Sequence, residues 1–235
     1  MKLLLFDIDG TLIQCGGAGR AALSQAVAEV YEARKIMDQV RLAGGTDYGI
    51  FDAIFLAHFG RLPTGISEFR AGLDRYLELL PQKLRSSDYN FRILPGATAA
   101  IERLAADPNY LLGIATGNVE LGAKAKLERA DLWQYFPLGG FGSDSKFRSG
   151  LVSKAIKRAE EYTHGRNLAQ IRKEDIFVIG DTEFDIRSAH DVGVKSIGVR
   201  VGSSHIDDMI EEKPSFLVDS LEDIRFWQAI GLDHA

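Results

Sequence analysis

Two carboxylates stand two positions apart near the start of this chain, Asp7 and Asp9 in MKLLLFDIDGTLI, directly behind an apolar run. Polar groups end two later apolar runs in the same way. YLLGIA leads into Thr116-Gly117-Asn118, and FVIG leads into Asp181, with Asp185 four positions on. Short, wholly apolar runs bounded by turn signals are the pattern of strands buried on both faces. In an open parallel sheet, ligands bind beyond the carboxyl ends of the strands. If these three strands are neighbours, four carboxylates and a hydroxyl converge on one pocket. Crowded carboxylates repel and raise one another's pKa unless a cation neutralises them. A hard divalent cation with oxygen ligands resolves the conflict, and Mg²⁺ is the usual choice beside phosphate. Asp7, Asp9, Asp181 and Asp185 are the candidate ligands. A carboxylate nucleophile beside such a metal points to phosphoryl chemistry. A calcium loop is excluded, because an EF-hand needs Gly at its sixth position and Glu at its twelfth, where this chain has Leu12 and Ala18.

The elements that must position these groups alternate between strand and helix, above all after residue 95. LLLF (3–6), YLLGIAT (110–116), FVIG (177–180) and KSIGV (195–199) read as strands, and PLGGF (137–141) as a weaker one whose glycines lower β propensity. ATAAIERLAA (97–106), VELGAKAKLERA (119–130) and LVSKAIKRAEEY (151–162) read as helices. This βαβ alternation predicts an α/β fold, a three-layer α/β/α Rossmann-like core with a mainly parallel sheet. Residues 15–92 break the alternation. AALSQAVAEVYEA (21–33), IFDAIFLAHF (50–59) and SEFRAGLDRYLELL (67–80) carry apolar residues at helical spacing, the last behind a Ser67 N-cap. The expected organisation is a core of residues 1–14 and 93–235 with an inserted helical domain of residues 15–92.

Composition narrows the class further. The chain has 235 residues, 46% hydrophobic and 26% charged, a globular balance rather than a disordered one. Its formal net charge is −5 and no basic run interrupts the mixture, which argues against nucleic acid as a partner. Cys15 is the only cysteine, so an intrachain disulfide is impossible. The first apolar run stops at Asp7, too early for a secretory leader, and no run reaches membrane-spanning length. The expectation is a cytoplasmic protein, a monomer or weak homodimer, with no membrane or nucleic-acid partner.

DIDGT, TGN and GDTEFD, in this order and strand context, resemble the signature motifs of the haloacid dehalogenase-like hydrolase superfamily. The helical insert after the first motif is similar to the mobile cap of its phosphoglycolate phosphatase-like members. The resemblance implies a Mg²⁺-dependent phosphatase that acts on a small phosphorylated metabolite through an aspartyl-phosphate. By similarity, Asp7 is the nucleophile, and Asp9 is the general acid toward the leaving oxygen and then the base for water. Thr116 hydrogen-bonds a phosphate oxygen, aided by Gly117 at a helix entrance and by Asn118, or else it is a simple turn residue. Asp181 and Asp185, spaced i, i+4, face one way and hold the metal. Relatives usually carry a Lys-Pro pair that neutralises phosphate, and GSDSKFRSGL has none. An ungapped count selects Lys146, whereas relatives with an arginine two positions later select Arg148, whose planar fork suits phosphate. In GGAGR (16–20), Arg20 either reaches an anionic part of the substrate or is a solvated charge on a linker. GGTD (44–47) either faces the pocket or caps the next helix.

Rival readings differ in named residues. Carbon–halogen hydrolysis would have no use for Asp9 as an acid. Phosphonate cleavage needs a cap lysine, and Lys35 and Lys83, the only lysines in the insert, lie in no site motif. A phosphosugar mutase shares Asp7 and Asp9. A phosphate-responsive binding module also clusters acids around Mg²⁺, but such domains are shorter and lack the helical insert. The five histidines show no metal-ligand spacing.

Overall fold

The computed structural model describes residues 1–34, 36–40, 45–204 and 206–232. Lys35, Gly44, His205 and His234 lie outside the described residues. Six parallel strands form one sheet in the order β5-β4-β1-β6-β7-β8. They are β1 (Lys2–Phe6), β4 (Tyr110–Ala115), β5 (Gly139–Gly140), β6 (Ile176–Gly180), β7 (Lys195–Val199) and β8 (Phe216–Val218). Strand β1 is central because it is apolar on both sides. Leu3 and Leu5 pack on one face with Leu151, Val152 and Ala189, while Leu4 and Phe6 pack on the other with Ala100, Ile101 and Leu127. The helices α4 (Ala97–Ala105), α5 (Glu120–Arg129), α6 (Arg148–Gly165) and α7 (Glu183–Val192) supply those partners, and α8 (Ile206–Glu211) and α9 (Ile224–Ala229) complete the layers. The expected three-layer α/β/α architecture is what the chain adopts.

Two short strands interrupt the path between β1 and α4. Strand β2 (Ile13–Gln14) pairs antiparallel with β3 (Arg92–Ile93), so the chain leaves and returns side by side. Between them lie α1 (Ala18–Tyr31), α2 (Asp47–Phe59) and α3 (Ile66–Arg85). Their apolar stripes meet one another: Leu23, Val27, Phe51, Phe55, Phe69 and Leu73 are all buried. Phe51 stacks on Phe69 with ring centroids 5.1 Å apart. Among the described residues no helix is long and apolar enough to cross a membrane.

Local details depart from the sequence-based expectation. Ser67 lies inside α3, whose N-cap is Gly65. The expected strand at 137–141 shortens to Gly139–Gly140, where a Cβ on Gly140 would lie 1.8 Å from the Leu151 carbonyl oxygen. Helix α6 begins three residues earlier than the apolar pattern indicates, at Arg148.

Because Leu4 is wholly buried in the central strand, Leu4→Ala should cost about 2–5 kcal/mol. Urea unfolding should show this as a lower midpoint at unchanged slope. A midpoint equal to wild type would contradict the packing described.

Candidate active site

The register of the sheet brings the polar strand ends to one level. Phe6 pairs with Ile114 on one side and with Ile179 on the other, so Asp7 emerges between the ends of β4 and β6. The Asp7 N–H continues the ladder to the Ile179 carbonyl at 2.8 Å, and the Thr116 N–H reaches the Gly140 carbonyl at 3.0 Å. Beyond Asp7 the chain reverses tightly, and the Gly10 N–H donates to the Ile13 carbonyl at 2.8 Å. Gly10 has φ +88°, and a Cβ there would lie 2.2 Å from Asp181 Oδ2. Both facts demand glycine. Next in the chain, Thr11 donates through Oγ1 to Asp181 Oδ1 at 3.2 Å. The DIDGT turn thus presents Asp7 and also holds Asp181.

Asp7, Asp181 and Asp185 are buried, and one carboxylate oxygen of each lies within 4.8 Å of the others. Asp181 is not on the helix with Asp185, as an i, i+4 pair would be, because α7 starts at Glu183. A capping box instead ties Asp185 to Thr182, the residue that follows Asp181. Asp185 Oδ2 accepts from the Thr182 N–H at 3.1 Å and from Thr182 Oγ1 at 2.6 Å, which folds the carboxylate back over the strand end. Its other oxygen, Oδ1, is in direct contact with Arg148 Nη2, which also lies 3.2 Å from Asp7 Oδ1. Burial raises the Asp7 pKa to about 7, against the lowering influence of Arg148 and with Asp185 and Asp9 adding to the rise. Burial and the neighbouring Asp7 and Asp185 likewise push Asp181 well above the carboxylate range. Arg148 is raised, because the attraction of Asp185 and Asp7 outweighs the cost of its burial.

Asp9 points elsewhere. Its Oδ2 accepts from Lys126 Nζ at 2.5 Å and from Asn118 Nδ2 at 2.9 Å, and its Oδ1 accepts from the Cys15 thiol at 3.4 Å. Burial alone would raise the Asp9 pKa, but the charge and hydrogen bonds of Lys126 and Asn118 more than reverse it and hold the group ionised. Asn118 also donates to Thr116 Oγ1 at 2.8 Å and accepts from Lys126 at 2.7 Å. Sequence reasoning missed Lys126. A signal was present, since the residue shares the buried face of α5 with Ala123 and Leu127, where an unpaired charge is costly. Cys15 is pushed up by burial, with the charge of Asp9 beside it adding to the rise, and so is not poised as a thiolate.

The remaining candidates divide. Lys146 faces away from Asp7 and pairs with Asp52 of α2 at 2.6 Å. Arg20 lines the cavity, but its guanidinium donates to the Met37 carbonyl and lies 3.8 Å from Asp38. Gly117 is in a loop rather than at a helix entrance, since α5 starts at Glu120. A Cβ on Gly117 would lie 2.1 Å from the Gly45 carbonyl oxygen, so the insert abuts this loop. Thr46 caps α2, and the Asp47 N–H donates to the Gly117 carbonyl at 2.8 Å. The buried Asp47 carboxylate accepts from the Val119 N–H at 2.7 Å, and burial raises its pKa to about 6. A cavity of about 460 Å³ lies between these walls, lined by Asp7, Asp9, Arg20, Tyr76, Lys126 and Arg148 among others.

An acid cluster at the carboxyl ends of central parallel strands, beside inserted helices, is the site arrangement of a Rossmann-like α/β enzyme. Residues 4–199 match the haloacid dehalogenase-like hydrolase family, and the chain belongs to it. "Probable phosphatase IndB" of Dickeya dadantii is 25% identical over 239 residues, which cover 99% of this chain and 94% of that one. The phosphoglycolate phosphatase of Vibrio parahaemolyticus is 22% identical over 227 residues, covering 95% and 94%. The solved structure of CbbY from Rhodobacter sphaeroides in complex with phosphate is similar in fold, with a TM-score of 0.65 at 18% identity over 95% of this chain and 96% of that one. The chain is thus an enzyme of this family, on its phosphoglycolate phosphatase-like branch.

The raised carboxyls make a pH prediction. A carboxyl whose folded pKa is raised stabilises the fold below its unfolded value and loses that contribution as pH rises through the folded one. For Asp7 and Asp47 the window runs from the ordinary value of 3.8 to about 7 and about 6. In EDTA the Tm should therefore fall between pH 5 and pH 8. A Mg²⁺ ion held by Asp7, Asp181 and Asp185 would require them ionised, so any Tm increase it produces should be larger at pH 8 than at pH 5. An Mg²⁺ effect independent of pH, or none, would count against a metal among these three acids.

Proposed function

We propose that this enzyme is a Mg²⁺-dependent phosphatase that hydrolyses a small phosphate monoester through a phosphorylated Asp7. The observation that carries this reading is the separation of the acids into two environments. Asp7, Asp181 and Asp185 crowd together around Arg148. Asp9, two residues from Asp7, is held apart and ionised by Lys126. Three mutually close carboxylates, hard oxygen donors with nothing softer among them, fit Mg²⁺. Asp7, Asp181 and Asp185 would hold the ion, which when bound offsets the negative charge of the phosphoryl group.

The chain's own residues supply the rest. Arg148 and the Thr116 hydroxyl at the neighbouring strand end hold the phosphate beside Asp7. A carboxylate oxygen of Asp7 attacks phosphorus. Asp9, ionised in the free site, takes up a proton when the negative charge of the bound phosphate stands beside it. It gives that proton to the leaving oxygen as the ester P–O bond breaks. Asp9 is then ionised, the form its contact with Lys126 favours. It takes a proton from water as that water attacks phosphorus, and the bond to Asp7 breaks. Phosphate leaves, and the site is free for the next turnover. Residues 15–92 serve as the cap that shields the intermediate from bulk water. The reciprocal contacts of Asp47 with Gly117 and Val119 are the cap's closed-state seal on the core. The cavity of about 460 Å³ suits a small phosphorylated metabolite.

Phosphate release from p-nitrophenyl phosphate and a panel of small alkyl phosphates tests the reading. Turnover should require Mg²⁺, stop in EDTA and fall by about 10³-fold or more in Asp7→Asn. Phosphoryl transfer to a sugar phosphate outpacing release to water would replace hydrolysis with mutase chemistry. A folded protein that binds phosphate but turns over no ester would move the reading to a binding module.

A further inference from the structure

We propose that Lys126 is the positioning residue of Asp9, setting where its carboxylate stands during proton transfer to the leaving group. This rests on the reading of Asp9 as the acid and base.

The argument begins with where Lys126 lies. It sits on α5, outside the three motifs that carry the chemistry, and its side chain is only 7% exposed. A lysine on the buried face of a helix costs desolvation unless it is fully paired, and replacing such a pair by apolar side chains is often neutral or stabilising. Stability alone therefore gives little reason for a lysine here. Its partners give a better one. Nζ donates to Asp9 at 2.5 Å and to Asn118 Oδ1 at 2.7 Å, while the amide end of Asn118 donates to the same Asp9 oxygen and to Thr116. Lys126, Asn118 and Asp9 form a closed triangle in which each side is a hydrogen bond. One corner of that triangle leads to the hydroxyl at the end of β4. Asp9 stands apart from the other acids, with a side chain 40% exposed and no bond to the cluster around Asp7 among those described. Without Lys126, Asn118 and the weak thiol donor of Cys15 are its remaining described partners. A carboxylate a single ångström out of place loses much of its value as a proton donor.

A structural salt bridge and a positioning residue differ in what they do to different esters. An alkoxide leaving group needs a proton as the P–O bond breaks, whereas p-nitrophenolate leaves readily without one. kcat/KM reports only the steps up to loss of the alcohol, so the later action of Asp9 on water does not enter. In Lys126→Met, kcat/KM for an alkyl phosphate should fall by roughly 10–100-fold, while that for p-nitrophenyl phosphate should fall by less than about threefold. Lys126→Arg, which keeps a charged donor, should recover part of the alkyl activity. Lys126→Gln serves the same comparison if the Met variant does not fold, with circular dichroism as the check. Equal losses on both esters would mark Lys126 as merely structural and overturn the proposal.

A crystal structure of Lys126→Met gives a second readout that needs no activity. The Asp9 carboxylate should leave Asn118, and its staying in place would overturn the proposal. If wild type releases no phosphate from any ester, the phosphatase reading fails by itself, and the Asp9 position alone decides the role of Lys126.

Discussion

Three buried carboxylates within reach of one another cannot all be ionised unless positive charge lies among them. The active-site end of this molecule is arranged around that constraint. Parallel pairing of β1 with β4 and β6 forces Asp7 and Asp181 to emerge side by side. The capping box of α7 then folds Asp185 over them. Arg148, the first residue of α6, supplies one fixed positive charge from the other side. The negative charge it leaves unbalanced is what the proposed divalent cation would offset. The same crowding and burial raise the Asp7 pKa to about 7, so in the proposed mechanism one cation would both fill the site and ionise the nucleophile.

The second acid obeys the opposite rule. Two carboxylates two residues apart would ordinarily titrate alike, and here their environments push them apart. Asp7 is raised by burial among acids, and Asp9 is lowered by an ammonium group. These directions belong to the free site; the proposed roles require a bound cation to ionise Asp7 and the charge of bound phosphate to favour a proton on Asp9. The DIDGT turn makes the divergence possible, because its reversal at Gly10 turns Asp9 toward the insert and α5 while Asp7 faces Asp181 and Asp185.

Much of this was legible in the sequence, and what was not has physical reasons. LLLF, YLLGIA and FVIG announce themselves because a strand buried on both faces has no polar residue until it ends, so the first polar residue marks the site. The three insert helices show because apolar residues recur at helical spacing along each, although in α2 they run round most of the helix and leave Leu56 and Phe59 exposed. The two-residue strands β2 and β3 are too short to carry any periodicity. Lys146 and Arg148 are two charges in one loop, and which of them turns inward depends on where α6 begins. Apolar spacing marks that start only from Leu151 onward. Lys126 sits among Lys124, Glu128 and Arg129, which read together as a solvated helix. Its burial depends on the phase of α5 against the core and on Asp9, a residue 117 positions away.

The central claim is that phosphorus becomes bonded to Asp7. The most direct test is to quench the enzyme during steady turnover of its best phosphate ester, reduce it with borohydride, and sequence the peptides by mass spectrometry. An acyl phosphate at Asp7 is reduced to the alcohol, so homoserine should appear at position 7, and only when substrate and Mg²⁺ were both present. Full turnover with Asp7 unmodified at every quench time, together with wild-type activity in Asp7→Asn, would contradict the account.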